Sequence, residues 1–187
     1  MAIAIVQSAY EVLARAETLW RANLGTKLTA MNAEQSQFTV ATPADAQIAA
    51  RADSKLDERE GGFPQQLNGV WCRITNKEVL RGVGGVASSG GQTRTRWRFE
   101  MLSYATVQVQ ETSSAVPTPL TTGYKELLLL SRCAGMVLTD VPGMVGNDGI
   151  YEVASADGGS MIVEPIAGMP NVHQVREYFD VYQKTLR

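Results

Sequence analysis

Three arginines at alternate positions, Arg94, Arg96 and Arg98, are the residues whose type and spacing carry the most chemistry. In an extended segment they share one face, where a row of guanidinium groups can grip phosphates or pair with carboxylates. The chain holds 17 basic and 19 acidic residues, a net charge of −2. No aromatic residue interleaves with the arginines on their face. Pairing with carboxylates of a neighbouring strand or subunit is therefore expected ahead of nucleic-acid binding. Just upstream, Gly82 to Ala87 spells G-x-G-x-x-A, the outline of a dinucleotide-binding turn. That chemistry needs a helix N-terminus directly after the glycines. The chain continues SSGGQTRTRWRFE instead, a loop and then a strand. The glycines, Gly84, Gly85, Gly90 and Gly91 among them, are read as the tip of a long hairpin.

The remaining reactive types point away from catalysis. His173 is the only histidine and starts a predicted strand, with no nucleophile or carboxylate motif beside it. It is read as a strand-end residue rather than a general base. Cys72 and Cys133 stand far apart and form neither a redox motif nor a zinc site, so two buried free thiols are expected. Asp53, Asp57, Glu58 and Glu60 alternate with Arg51, Lys55 and Arg59. This is the pattern of a solvated helix face with i,i+4 pairs, without the spacing of a calcium loop. The expectation is a non-enzymatic chain with no catalytic residue, cofactor or metal.

The elements that must position the arginines follow from periodicity. Residues 3 to about 24 form an amphipathic helix on Val6, Tyr10, Leu13, Trp20 and Leu24, with Gly25 as its stop signal. Ser36 to Thr42 reads as a short strand, and Pro43 opens a polar, alanine-rich helical stretch to Gly61. Residues 26–62 are thus read as a polar helical insertion. Val70 to Thr75 is a strand, and Thr93 to Glu111 is one long strand or two with a bend near Ser103. Pro119 sits just before a second helical pattern, Thr122, Tyr124, Leu127, Leu128, Cys133 and Val137, which is expected to end near Gly135. Three strands close the chain, Gly149 to Ala154, Ser160 to Ile166 and Val172 to Lys184, with Asp157-Gly158-Gly159 as a hairpin turn between the first two. The expected fold is α+β: a mostly antiparallel or mixed sheet packed by two main helices, with a long glycine-rich hairpin. The chain reads as one domain, 1–187, with residues 67–186 as its α+β core. At 44% hydrophobic and 19% charged residues, it can sustain such a core without metal or disulfide. No signal peptide and no membrane span is read from it.

This order of elements resembles the tail-terminator and neck proteins of tailed bacteriophages. The resemblance rests on FPQQLNGVWCRIT, the hairpin leading into TRTRWRFEMLSYATVQVQE, the helix TGYKELLLLSRCAG, and the closing strands GIYEVASAD, SMIVEPI and VHQVREYFDVYQ. It implies a structural virion protein of the neck or tail, assembled in the host cytoplasm. Such a protein forms a homohexameric ring that caps the tail tube. Its implied partners are its own copies, the tail-tube protein and the head-proximal connector or stopper protein, with genomic DNA passing through the lumen. Arg94, Arg96, Arg98, Gly84, Gly85, Gly90 and Gly91 are the corresponding candidates for subunit interface or lumen. Residues 84–92 would then order on docking or line the channel. The alternative reading is a small α+β ligand-binding or adaptor module without catalysis.

Overall fold

The computed structural model describes residues 2–35, 38–50, 68–80, 92–106, 122–140, 144–145, 150–156, 159, 161–166 and 169–186. Helix α1 spans Ala2–Glu34, followed by a 3-10 turn at Asp45–Gln47 and strand β1, Ile48–Ala50. Strands β2, Asn68–Leu80, and β3, Gln92–Thr106, precede helix α2, Thr122–Thr139. Strands β4, Ile150–Ser155, β5, Met161–Ile166, and β6, Met169–Leu186, complete the chain. The sheet order is β1-β2-β3-β6-β4, with β5 also on β6. All pairs are antiparallel except β1 with β2. The expected α+β class, two helices on a mostly antiparallel sheet, is the fold observed. No described helix is long and apolar enough to cross a membrane.

α1 continues past Gly25 because its apolar stripe does. Val12, Leu13, Ala16, Leu19, Trp20, Leu24 and Leu28 are all buried, and burying Leu28 outweighs the roughly 1 kcal/mol that a mid-helix glycine costs. Gly25 is useful there: a Cβ would stand 3.3 Å from Thr42 Cγ2, so the glycine admits the return segment. Tyr10, expected on the apolar face, is exposed, and Val12 takes the buried place. α2 likewise runs through Gly135 to Thr139. A Cβ on Gly135 would lie 3.2 Å from Phe179 Cζ, so the glycine lets helix and sheet approach closely there. The two helices are tied by Trp20, whose Nε1 donates to the Ala134 carbonyl at 2.9 Å inside the core.

The segment after α1 departs from the expected strand and helix. Residues 38–44 take no regular structure. Asn32 brackets Val40 with both ends of its amide, donating to the Val40 carbonyl and accepting from the Val40 N–H, each at 2.9 Å. The chain then enters β1 beside β2, with Ile48 buried and its carbonyl held by Arg21 at 3.1 Å. Burial of Ile48 against the core overrides the helical propensity of the alanines. The helical reading of residues 51–62 falls outside the described residues.

β3 is one unbroken strand through Ser103, paired with β6 from Gln92 opposite Leu186 to Thr106 opposite Val172. The hairpin expected at Asp157-Gly158-Gly159 does not form between β4 and β5. Both strands lie on the same side of β6, β4 against Phe179–Gln183 and β5 against Met169–Glu177. They are successive pieces of one edge, joined where the Ala156 N–H still reaches the Tyr178 carbonyl at 2.8 Å. Gly159 supplies a positive φ of 75° at the break. The true hairpin is β5–β6.

Candidate functional site

Alternation sorts the sheet into two faces. Val70, Cys72, Trp97, Phe99, Met101, Phe179 and Val181 turn toward α1 and α2 and form the main core. The opposite face carries the arginine row, and no described helix covers it. Arg98 grips Asp180 of β6 through two bonds, Nε to Oδ1 at 3.0 Å and Nη2 to Oδ2 at 3.2 Å. Such a planar fork is the strong form of an arginine–carboxylate pair. Arg96 lies across β2 and β6 at once, 2.5 Å from Glu78 and 3.9 Å from Asp180. Arg94 is exposed and sits in register with Leu80 and Lys184. The expected pairing across strands thus occurs within one chain for Arg96 and Arg98. The candidate glycines Gly84, Gly85, Gly90 and Gly91 lie outside the described residues.

Glu100, next in the same row, is the centre of a second network. Its side chain is 2% exposed. Arg73 of β2 pairs with one of its oxygens, Arg176 of β6 with the other at 3.0 Å, and Tyr178 donates to it at 3.4 Å. Arg176 continues outward to Glu164 of β5 at 2.5 Å, where Gln174 also donates at 2.8 Å. The ladder therefore crosses four strands, Arg73–Glu100–Arg176–Glu164. Partial burial opposes the charge on Arg176, and the surrounding Glu100, Tyr178 and Glu164 more than restore it, so its pKa is raised. Beyond this ladder the same face turns apolar, with Trp71, Leu102, Tyr104, Ile166 and Val172 buried together. Arg73 bridges the two zones, its guanidinium 5.8 Å from the Trp71 ring.

This arrangement suits a rigid contact surface. Both buried carboxylates, Glu100 and Asp180, are held by guanidinium groups on neighbouring strands, which fixes strand register and leaves a face of mixed charge. The arginine row was legible as a pattern. Asp180, the partner of Arg98, lies 82 positions away, and only the register of β3 against β6 brings it opposite.

The other reactive residues turn toward the helices. His173 is buried under the start of α2, its Nε2 2.8 Å from the Tyr124 hydroxyl and the two rings edge to face. Burial lowers its pKa below the ordinary value, so it stays neutral at pH 7. Cys72 and Cys133 are both free and buried, as expected, and burial raises both thiols, putting them out of reach as nucleophiles. The described residues contain no metal-ligating cluster.

Glu177 lies beneath α2 and accepts from the Ser131 hydroxyl. Burial raises its pKa above the ordinary carboxylate value, against the opposing effect of that bond. The folded chain therefore holds this proton more tightly than the unfolded chain. The contribution is complete below the ordinary value and is lost as pH rises through the raised pKa. Glu177→Gln, which needs no ionisation and still accepts from Ser131, should melt higher than wild type at pH 7. The difference should shrink toward pH 4, a trend that melting curves across this range measure directly.

Comparison with known proteins supplies no relative: no family model matches the chain, and no curated protein matches it.

Proposed function

We propose that this chain is a structural assembly subunit that builds a homo-oligomeric ring, of the tail-terminator or neck type of tailed bacteriophages. In this reading the ring caps the tail tube, joins it to the head-proximal connector and leaves a channel for DNA. It works by surface complementarity, without catalysis, cofactor or metal, and its place is the virion neck.

The observation that carries the proposal is the distribution of surface on the sheet. One face is committed to two helices. The other is a rigid lattice of paired charges, and the outer edge is apolar and exposed at Met161, Ile162 and Val163. An exposed apolar edge is a liability for an isolated chain and an asset in an assembly. The charged face adds support. A strongly basic wall would bind the DNA backbone tightly and with steep salt dependence. A wall whose arginines alternate with Glu100, Asp180, Glu78 and Glu164 offers DNA little net attraction, which suits passage without retention. Resemblance in element order supplies the identity of the assembly.

Negative-stain electron microscopy of the purified protein, alone and mixed with tail tubes, tests this. Rings with a central opening wide enough for duplex DNA, seated on tube ends, are expected. Isolated compact particles under both conditions would contradict it.

A further inference from the structure

β5 pairs with β6 on one side, and among the described residues no strand lies along its other side. Met161, Ile162 and Val163 are 49%, 48% and 42% exposed. Consecutive strand residues point to opposite faces, so this run is open on both faces at once. A helix or loop resting on one face would cover Met161 and Val163, or Ile162, but not all three. A strand added along the edge meets both faces and takes up the free backbone groups. The usual edge guards are an unpaired charge or a proline, and Pro165 lies toward the far end of β5, past Met161, Ile162 and Val163. Here the charge within β5, Glu164, is engaged by Arg176 and Gln174 of its own sheet.

The other side of the sheet also ends openly. Pairing of β1 with β2 stops at Cys72, and among the described residues no strand accompanies β2 beyond it. Val79, in that stretch, is 52% exposed. It is in register with Thr95, on the helix side of the sheet. Met161 and Val163, in register with Glu177 and Val175, are on that same side. One chain therefore carries two open strand edges at opposite ends of one sheet, with Val79 on one and Met161 and Val163 on the other exposed on the same face. Two different patches that match each other make a head-to-tail contact, which repeats from copy to copy and closes into a ring when the rotation allows.

We infer that the β5 edge receives the β2 edge of a second copy of this chain, extending the sheet from subunit to subunit. This rests on the ring reading above and adds which strands make the contact.

Two experiments on the full chain test it. In the first, native mass is followed across a concentration range for wild type, Ile162→Lys and Val163→Lys. The lysine variants should need at least about tenfold more protein to assemble, the effect of losing about 1.4 kcal/mol per contact, with unchanged circular dichroism. In the second, Val79→Cys and Met161→Cys are combined in one chain and treated with a short bifunctional maleimide. The native thiols are buried, so the introduced cysteines react. Within one chain the two positions are three strand spacings apart, about 14 Å, and offset by six residues, about 20 Å, along the strands, a span that a short linker does not bridge. The double variant should yield a ladder of linked subunits, and each single variant should remain unlinked.

A wild-type oligomer that the lysines leave intact and that gives no ladder would overturn the strand assignment while the ring reading stands. Linking of Met161→Cys alone would show β5 against β5 and overturn the head-to-tail contact. A wild type that stays monomeric throughout, and that also forms no ring on tail tubes, would overturn both.

Discussion

Glu100→Ala should destabilise the folded chain by about 3 kcal/mol, the lower part of the range for breaking a buried ion pair. In a chain of this length that lowers the melting temperature by roughly 6–12 °C. The loss comes from what remains. Arg73 and Arg176 converge on Glu100 from β2 and β6, and without it two guanidinium groups face each other across β3. Their side chains are 26% and 29% exposed, so they can turn partly toward water, which keeps the cost from reaching the top of the range. Glu100→Gln keeps an acceptor and loses the charge, and should cost about half as much. Arg73→Ala should cost markedly less in the Glu100→Ala background than in wild type, because the charge it balances is gone. Thermal and denaturant melts of the four chains measure this. Equal costs for Arg73→Ala in both backgrounds would show that Arg73 and Glu100 are not coupled.

Gly69→Val should be of similar size, about 3 kcal/mol or more, from overpacking. Gly69 faces Tyr104 across the β2–β3 pair. A Cβ at Gly69 would stand 2.3 Å from the Tyr104 hydroxyl oxygen, 2.4 Å from Cζ and 2.6 Å from Cε1. The ring cannot step aside, because Tyr104 is 1% exposed and packed with Trp71 and Leu102. The glycine is therefore a seat for the tyrosine ring rather than a turn residue. Gly69→Ala should already destabilise the chain, and should cost much less when Tyr104 is also alanine. The double-mutant cycle should give a coupling of about 1–3 kcal/mol. Additive effects would mean that the strands separate to accept the side chain.

Long, strongly periodic segments were readable from sequence because each repeats its own burial requirement. The face of β3 bearing Arg94, Arg96 and Arg98, the buried places of Leu13, Trp20 and Leu24 on α1, and the three closing strands follow from alternation or helical spacing alone. The misreadings have a common physical origin in contacts made far along the chain. Gly25 and Gly135 look like helix stops locally, yet each admits a close neighbour, Thr42 or Phe179, and the helix continues. Asp157-Gly158-Gly159 has hairpin chemistry, but β6 is long enough to hold β4 and β5 end to end, so the chain goes straight on. Ile48–Ala50 has helical composition and becomes a strand because β2 offers it a free edge. At the site, one half of each ion pair was visible and the other was not. No local pattern assigns Asp180 to Arg98, or Arg176 to Glu100. That takes the register of β3 on β6, which the whole length of the two strands decides.

The native mass of the wild-type chain, measured by sedimentation velocity over a wide concentration range, decides whether its copies close into a ring. A single discrete closed species is expected, a ring of about six subunits, forming cooperatively as concentration rises. A chain that remains monomeric at every concentration, and that also fails to collect on the ends of tail tubes, would contradict it.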